Sequence, residues 1–398
     1  MSHLKAGSGQ SADANTEAAV RAAVESARAA LGAEPKLAIL GATVDHDAAR
    51  VFAAARKALP GVAIHGATSS LGVLAESGVV MGPGGGVGVL LLSGGEGEGF
   101  AVGHASLADG ARDAGRRAAE ALLRGRPAGE KPRLVFIAAT PGDEEDILSG
   151  IEDALPDVPV YGGSAADHAI EGGWSLFTDD GPRKEGVSLA ALFGDVRIGA
   201  AFDGPYEPTA KTAIVTEATG RRVSRLGAEP ASATLDGWLD GRIAGQARDG
   251  GNLLMQTALS PLGVALLAPS GAVFHRLLHP AVAHPGGAVD LFARAAPGTS
   301  VCLMQGSEES LVGLVATLVD RALAQGKLTR AEVRCGFLIY CAGCAGAIGP
   351  RLDEVMARLR GRLEGVPVLG FCTFGEQGFV PDLGNIHANL SVALVLLG

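Results

Sequence analysis

The stretch Val366-Pro367-Val368-Leu369-Gly370-Phe371-Cys372-Thr373 decides the fold. A run of strand-type apolar residues enters a glycine and leaves through small or polar ones. The pattern stands at two other places. Val62-Ala63-Ile64-His65 runs into Gly66-Ala67-Thr68-Ser69-Ser70, and Val158-Pro159-Val160-Tyr161 runs into Gly162-Gly163-Ser164.

Each of these strands is preceded by another strand and a helix. Residues 36–40 end in Gly41-Ala42-Thr43, and helical spacing covers about 47–59. Residues 134–137 end in Ala138-Ala139-Thr140, before a helix with Glu144 and Glu145 in its first turn. Residues 337–340 end in Cys341-Ala342-Gly343, before a helix over 351–363. Each copy closes on an apolar strand, at 87–92, 187–192 and 392–397. The glycines that bracket the second and closing strands, Gly66 to Gly94, Gly162 to Gly194 and Gly370 to Gly398, are 28, 32 and 28 residues apart. We therefore expect one supersecondary unit used three times.

A strand, helix, strand unit of this length favours parallel neighbours and a right-handed crossover. Both strands then end on the same sheet edge, where open α/β sheets place ligands. Small residues there let a ligand approach the backbone. A single glycine at such a tip usually only turns the chain, whereas the recurring set points to a site. The expected fold class is α/β: mixed sheets with helices, built from repeated strand-helix-strand units in two halves.

Between the second and third copies, 212–216 reads as a strand, 217–220 as its turn and 232–239 as a short helix. Residues 253–256, 264–267 and 300–303 read as strands, and 308–323 as a long helix. The first 15 residues are polar and aperiodic, which predicts a loose tail before a helix over 16–31. The expected division is 1–33 for tail and first helix, 34–225 for an N-terminal domain and 226–398 for a C-terminal one.

Composition bounds the function. With 47% hydrophobic and 19% charged residues, the chain can bury a large core. Its 33 Lys and Arg against 43 Asp and Glu give −10, with no basic run. That removes the electropositive footprint nucleic acid needs. Apolar runs are strand-length, far short of the roughly twenty residues of a membrane span. The five cysteines lie in the last hundred residues, and their odd number reads as reduced thiols. A cytoplasmic protein is expected, with no nucleic-acid or membrane partner.

Catalytic templates are missing. Gly162-Gly163-Ser164-Ala165-Ala166 lacks the last glycine of a nucleophile elbow. Gly82-Pro83-Gly84-Gly85-Gly86 lacks the Lys-Ser/Thr of a phosphate loop and reads as a hairpin tip. Glu376 stands in an apolar, glycine-flanked context, so its carboxyl must be paired, hydrogen-bonded or used. Thr373 and Asn389 are natural neighbours for it. His275, His279 and His284 invite a metal, but Pro280 breaks a helical face and no acidic ligand is close, so they are expected at the surface or in loops. Cys341-x-x-Cys344 has the spacing of a redox pair and, with no second such pair, only half of a zinc site. Cys372 is expected near it.

These residues resemble the bacterial FIST sensory proteins, which join a FIST N-terminal to a FIST C-terminal domain. Residues 366–376, with proline, glycine, aromatic, threonine and then Gly375-Glu376, look like the family's signature. Ile386-His387-Ala388-Asn389 resembles its His-Asn element. Cys341-Ala342-Gly343 with Gly349, Arg351 and Glu354, residues 160–167, and Gly66-Ala67-Thr68-Ser69 fit as well. The resemblance spans about 34–398. It implies a non-enzymatic sensor of a small ligand, an amino acid or related metabolite, with output through a partner such as a histidine kinase or cyclase. Some relatives look like haem-binding nitric-oxide sensors, which makes His387 a candidate axial ligand and His168 the second choice. The expected ligand-binding set is Thr68, Ser69, Gly162, Gly163, Ser164, Asp167, Cys341, Gly370, Thr373, Gly375, Glu376 and Asn389. One departure is Cys344, where the family often has an arginine.

Overall fold

The chain's three closing strands are buried at every position because each is covered on both faces. The computed structural model, which describes residues 4–82, 84–95 and 98–398, shows how. Three six-stranded sheets share one strand order. The first runs Lys5–Ser11, Val87–Ser93, Leu37–Thr43, Ala63–Ser69 and then the hairpin Leu176–Thr178 and Gly181–Arg183. The second runs Gly99–Ala105, Val187–Phe193, Leu134–Ala139, Val160–Ser164, Glu376–Val380 and Gly384–Ala388. The third runs Ile198–Asp203, Val392–Leu397, Cys335–Cys341, Val368–Thr373, Gly72–Ala75 and Gly78–Met81. In each, the two strands joined by a helix pair in parallel and the other neighbours are antiparallel.

The last hairpin of every sheet belongs to a different repeat. The first repeat gives its hairpin to the third sheet, the third to the second and the second to the first. The exchange closes a ring, and three matching hydrogen bonds mark its joints. Ser70 N–H donates to Cys372 O at 2.9 Å, Phe374 N–H to Ser164 O at 3.1 Å and Ala166 N–H to Thr68 O at 2.9 Å. The glycine-led tips Gly66, Gly162 and Gly370 thus meet rather than face apart.

The inner faces share one core, with Leu90, Leu192, Val395, Ile39, Phe136, Phe337 and Phe371. The outer faces lie under helices: Thr16–Leu31 and Ala48–Ala58, then Ala111–Leu122 and Glu144–Ala154, then Glu308–Gly326 and Leu352–Arg362. Each large apolar side chain so buried contributes about 1.5–3 kcal/mol. A fourth sheet, within 207–305, is inserted between the edge strand Ile198–Asp203 and the helix Glu308–Gly326 of the third repeat.

Several expectations need correction. The tail is not loose: Lys5–Ser11 is an edge strand paired along its length with Val87–Ser93. Its apolar pattern is missing because glycines make the contact. A Cβ on Gly7 would stand 2.2 Å from Ala27 O, and one on Gly9 2.2 Å from Ala23 O, both in the helix above. Met1, Ser2 and His3 of that tail lie outside the described residues, as does Pro83 of the expected hairpin tip. Residues 253–256 are not a strand, since Leu254–Thr257 is a helical turn. The residues of the expected division, 225 and 226, close the strand Arg222–Leu226 of the fourth sheet, whose partners include Glu207–Thr219 and Val289–Leu291. Among the described residues, no helix is long and apolar enough to cross a membrane.

Candidate functional site

At the joint between the first and third repeats, the strand Cys335–Cys341 ends and the helix Ala342–Ile348 begins. Small residues here (Ala342, Gly343 and Gly346) leave a cavity of about 210 Å³. The first repeat adds Ser70 and Leu71, the second His168 and Ile170, and the third Cys341, Thr373, Phe374 and Asn389. The fourth sheet and its connections close the other side with Leu254, Met255, Ala258, His279 and Phe292. All four parts of the molecule therefore contribute to one wall.

Apolar side chains dominate the lining, and no lysine or arginine belongs to it. Asn389 is its most informative polar group. It is 2% exposed, and its Oδ1 accepts from the His279 N–H at 3.2 Å. Its Nδ2 has no partner among the described residues. A buried amide donor left unpaired costs about 1–3 kcal/mol, which a ligand acceptor would recover. His279, expected at the surface, is instead buried. Its Nε2–H donates to Leu254 O at 3.1 Å, and burial lowers its pKa to about 4, so it is neutral.

Glu376 lies just behind this wall and is wholly buried. Its Oε1 accepts from the Thr373 hydroxyl at 2.8 Å and its Oε2 from the Ser391 N–H at 3.2 Å. Burial pushes its pKa well above the carboxylate range, helped by the neighbouring Cys341 thiol and outweighing both donors. This environment favours its protonated form.

The other expected site residues divide between joints and framework. Cys341, Thr373, Asn389 and His168 come together in the cavity. Ser69 ties the first repeat to the third, accepting from the Cys372 N–H at 2.9 Å. Thr68 accepts from the Ser175 N–H at 2.9 Å, and Asp167 takes backbone N–H groups of Ala169, Ile170, Glu171 and Gly173. Gly162 and Gly163 let strands cross closely, and a Cβ on Gly163 would lie 2.4 Å from Thr373 Cγ2. Gly370 sits inside the third sheet against Leu338 and Leu74, and Gly375 against His387. Leu71, Met255 and Phe292 escaped the sequence reading. They carry no motif, and only the hairpin exchange and the inserted sheet bring them to the tips.

Ser164 donates to Glu144 Oε1 at 2.7 Å and so belongs to a second cluster. Arg221 reaches Glu144 at 2.5 Å and Glu145 at 2.6 Å. Glu144, Glu145 and His387 bring one ligand atom each within 4.8 Å of one another, but the Arg221 guanidinium already supplies the positive charge. Burial would raise the pKa of Glu145, yet His387 and Arg221 hold it down at about 2.

A haem does not fit the residues proposed for it. His387 sets Nε2 3.3 Å from Phe292 O and Nδ1 3.1 Å from the Gln377 amide. His168 accepts at Nδ1 from the Leu71 N–H and places Nε2 2.9 Å from Asp45. Neither imidazole turns a lone pair toward open space, and the cavity is smaller than the roughly 300–1,000 Å³ usual for cofactor sites. The cysteine pair is likewise placed against thiolate chemistry. Cys341 and Cys344 are buried, and burial drives the Cys341 thiol well above its ordinary pKa, with Cys344 adding to the effect.

Residues 36–229 match the FIST N domain and residues 237–379 the FIST C domain. No curated protein matches the chain. Among solved structures, the cyanuric acid hydrolase from A. caulinodans is 10% identical, with 98% of this chain and 99% of that one covered at a TM-score of 0.35. PurLQS from Thermotoga maritima is 11% identical, with 76% and 72% covered at a TM-score of 0.24.

Proposed function

The chain belongs to the FIST family, and from that premise we propose that it is a small-ligand sensor with its site in the cavity around Asn389. The unpaired Asn389 Nδ2 in an otherwise apolar chamber is the observation that carries this reading. It favours a small neutral molecule with one acceptor atom. An amino acid would bring a carboxylate that no lysine or arginine of the lining neutralises, so we rank it below an uncharged metabolite. In this reading the protein acts as a receptor, without catalysis. Binding would draw the segment Leu254–Thr257 and Phe292 onto the repeat tips, shifting the inserted sheet against the three-repeat body. A cytoplasmic signalling partner such as a histidine kinase or cyclase would read that shift.

The test is thermal unfolding against a panel of neutral, anionic and zwitterionic metabolites, with native mass spectrometry of whatever copurifies. A neutral ligand should raise the Tm of the wild type, and Asn389→Ala should remove most of that rise. No stabilisation by any compound, or an undiminished rise in Asn389→Ala, ends the proposal.

A further inference from the structure

The three repeats present the same turn, from first strand to helix, and each uses it differently. In the third repeat it borders the Asn389 cavity. In the second, Arg221 binds the carboxylates that open the helix Glu144–Ala154. In the first repeat the turn borders a separate cavity of about 280 Å³, at the start of the helix Ala48–Ala58.

We propose that this cavity is a second ligand site, selective for an oxyanion group, a carboxylate or a phosphate. Its wall includes His46, Ala48, Ala49, Ser175, Arg183 and Lys184. The helix is 11 residues long, and its N-terminus faces the cavity with the positive end of its dipole. His46 adds an independent observation. It is 2% exposed, its Nδ1 is 3.1 Å from the Thr16 hydroxyl, and its buried Nε2 has no partner among the described residues. In the tautomer whose Nδ1 accepts from Thr16, Nε2 carries a hydrogen for which the described residues offer no acceptor.

The charge balance at the rim also favours an anion. Lys184 is held there by hydrogen bonds to Gly173 O at 2.8 Å and Trp174 O at 2.9 Å. Arg183 has no ion pair among the described residues. Against these two cations stands Asp47, one of whose oxygens is committed to the Arg50 N–H at 2.9 Å. Asp45, bonded to the Thr43 hydroxyl at 2.7 Å and to His168, and Asp13 stand outside the lining, although both charges act on His46. An oxyanion would satisfy the His46 Nε2–H, free N–H groups of the first helical turn and the Arg183 guanidinium together.

Titration calorimetry of the intact chain with inorganic phosphate and, separately, with succinate tests this and separates the two sources. Saturable binding of either probe, weakened at least tenfold in Arg183→Ala and in His46→Phe, is the expected result. Arg183 is exposed, so its variant keeps the test decisive if His46→Phe fails to fold. Binding of neither probe to the wild type, or binding that Arg183→Ala leaves intact, overturns the proposal. Because both probes are charged and the Asn389 cavity lacks cations, failure here leaves the sensor reading standing.

Discussion

The carboxyl of Glu376 accepts from the backbone N–H of Ser391 at 3.2 Å, doing for the third repeat what a threonine does for the other two. In the first, the Thr43 hydroxyl accepts from the Gly86 N–H at 3.0 Å; in the second, the Thr140 hydroxyl accepts from the Gly186 N–H at 3.2 Å. Cys341 occupies the matching strand end in the third repeat, and its thiol is a poor acceptor. Glu376 fills the vacancy from the neighbouring hairpin, which accounts for a carboxyl buried among apolar groups.

Glu376→Gln should therefore fold and pack as the wild type does. The wild-type acid holds a proton that the unfolded chain releases above about pH 4.5. Its contribution is complete below that value and shrinks as pH rises toward the folded pKa, by about 1.4 kcal/mol per pH unit. The glutamine carries no such proton. Urea unfolding between pH 5 and 8 should show the variant gaining on the wild type as pH rises; parallel curves would contradict the raised pKa of the Glu376 carboxyl.

Two buried histidines set the acid limit. His65 touches Ser188 at 2.9 Å, and burial lowers its pKa to about 3; burial lowers that of His279 to about 4. The unfolded chain takes up protons below about pH 6.5 that the folded one refuses. Stability should fall from pH 6.5 to 4 by about 1.4 kcal/mol per unit for each histidine. His65→Asn should flatten that slope in denaturant titrations.

Arg221→Met should be among the costly substitutions. It strands the fully buried Glu144 and most of Glu145 without their guanidinium, for a loss of about 3–5 kcal/mol at pH 7. Protonation relieves stranded carboxylates, so the deficit should narrow at pH 5. Chemical denaturation at the two pH values reads both effects, and a deficit independent of pH would show that the carboxylates are not the cause.

Gly163→Val tests the hairpin exchange. Its side chain would drive into Thr373, which the third repeat brings across the joint. We expect a loss of about 1–3 kcal/mol. Hydrogen exchange should show the strands Val160–Ser164 and Glu376–Val380 loosening together, and protection unchanged in Glu376–Val380 would speak against the joint.

Much of this was legible from residue pattern. Val87, Val187 and Val392 open strands that are almost wholly apolar, a signature of burial on both faces, and the three glycine-led tips fix where their neighbours end. Lys5–Ser11 escaped because Gly7 and Gly9 pack by having no side chain, which no hydrophobicity pattern records. His279 read as a surface residue because its burial comes from Leu254 and Asn389, 25 and 110 positions away.

The amino-acid sequence by itself determined a triplicated α/β unit, the family and the small-residue tips, since periodicity and motif are local properties of the chain. Tertiary structure alone decided that hairpins are traded in a ring, that Glu376 stands in for a threonine, and that Asn389 keeps an unpaired donor. Those outcomes depend on contacts between residues far apart in the chain, and such contacts are set by how whole sheets dock. Local pattern does not encode that.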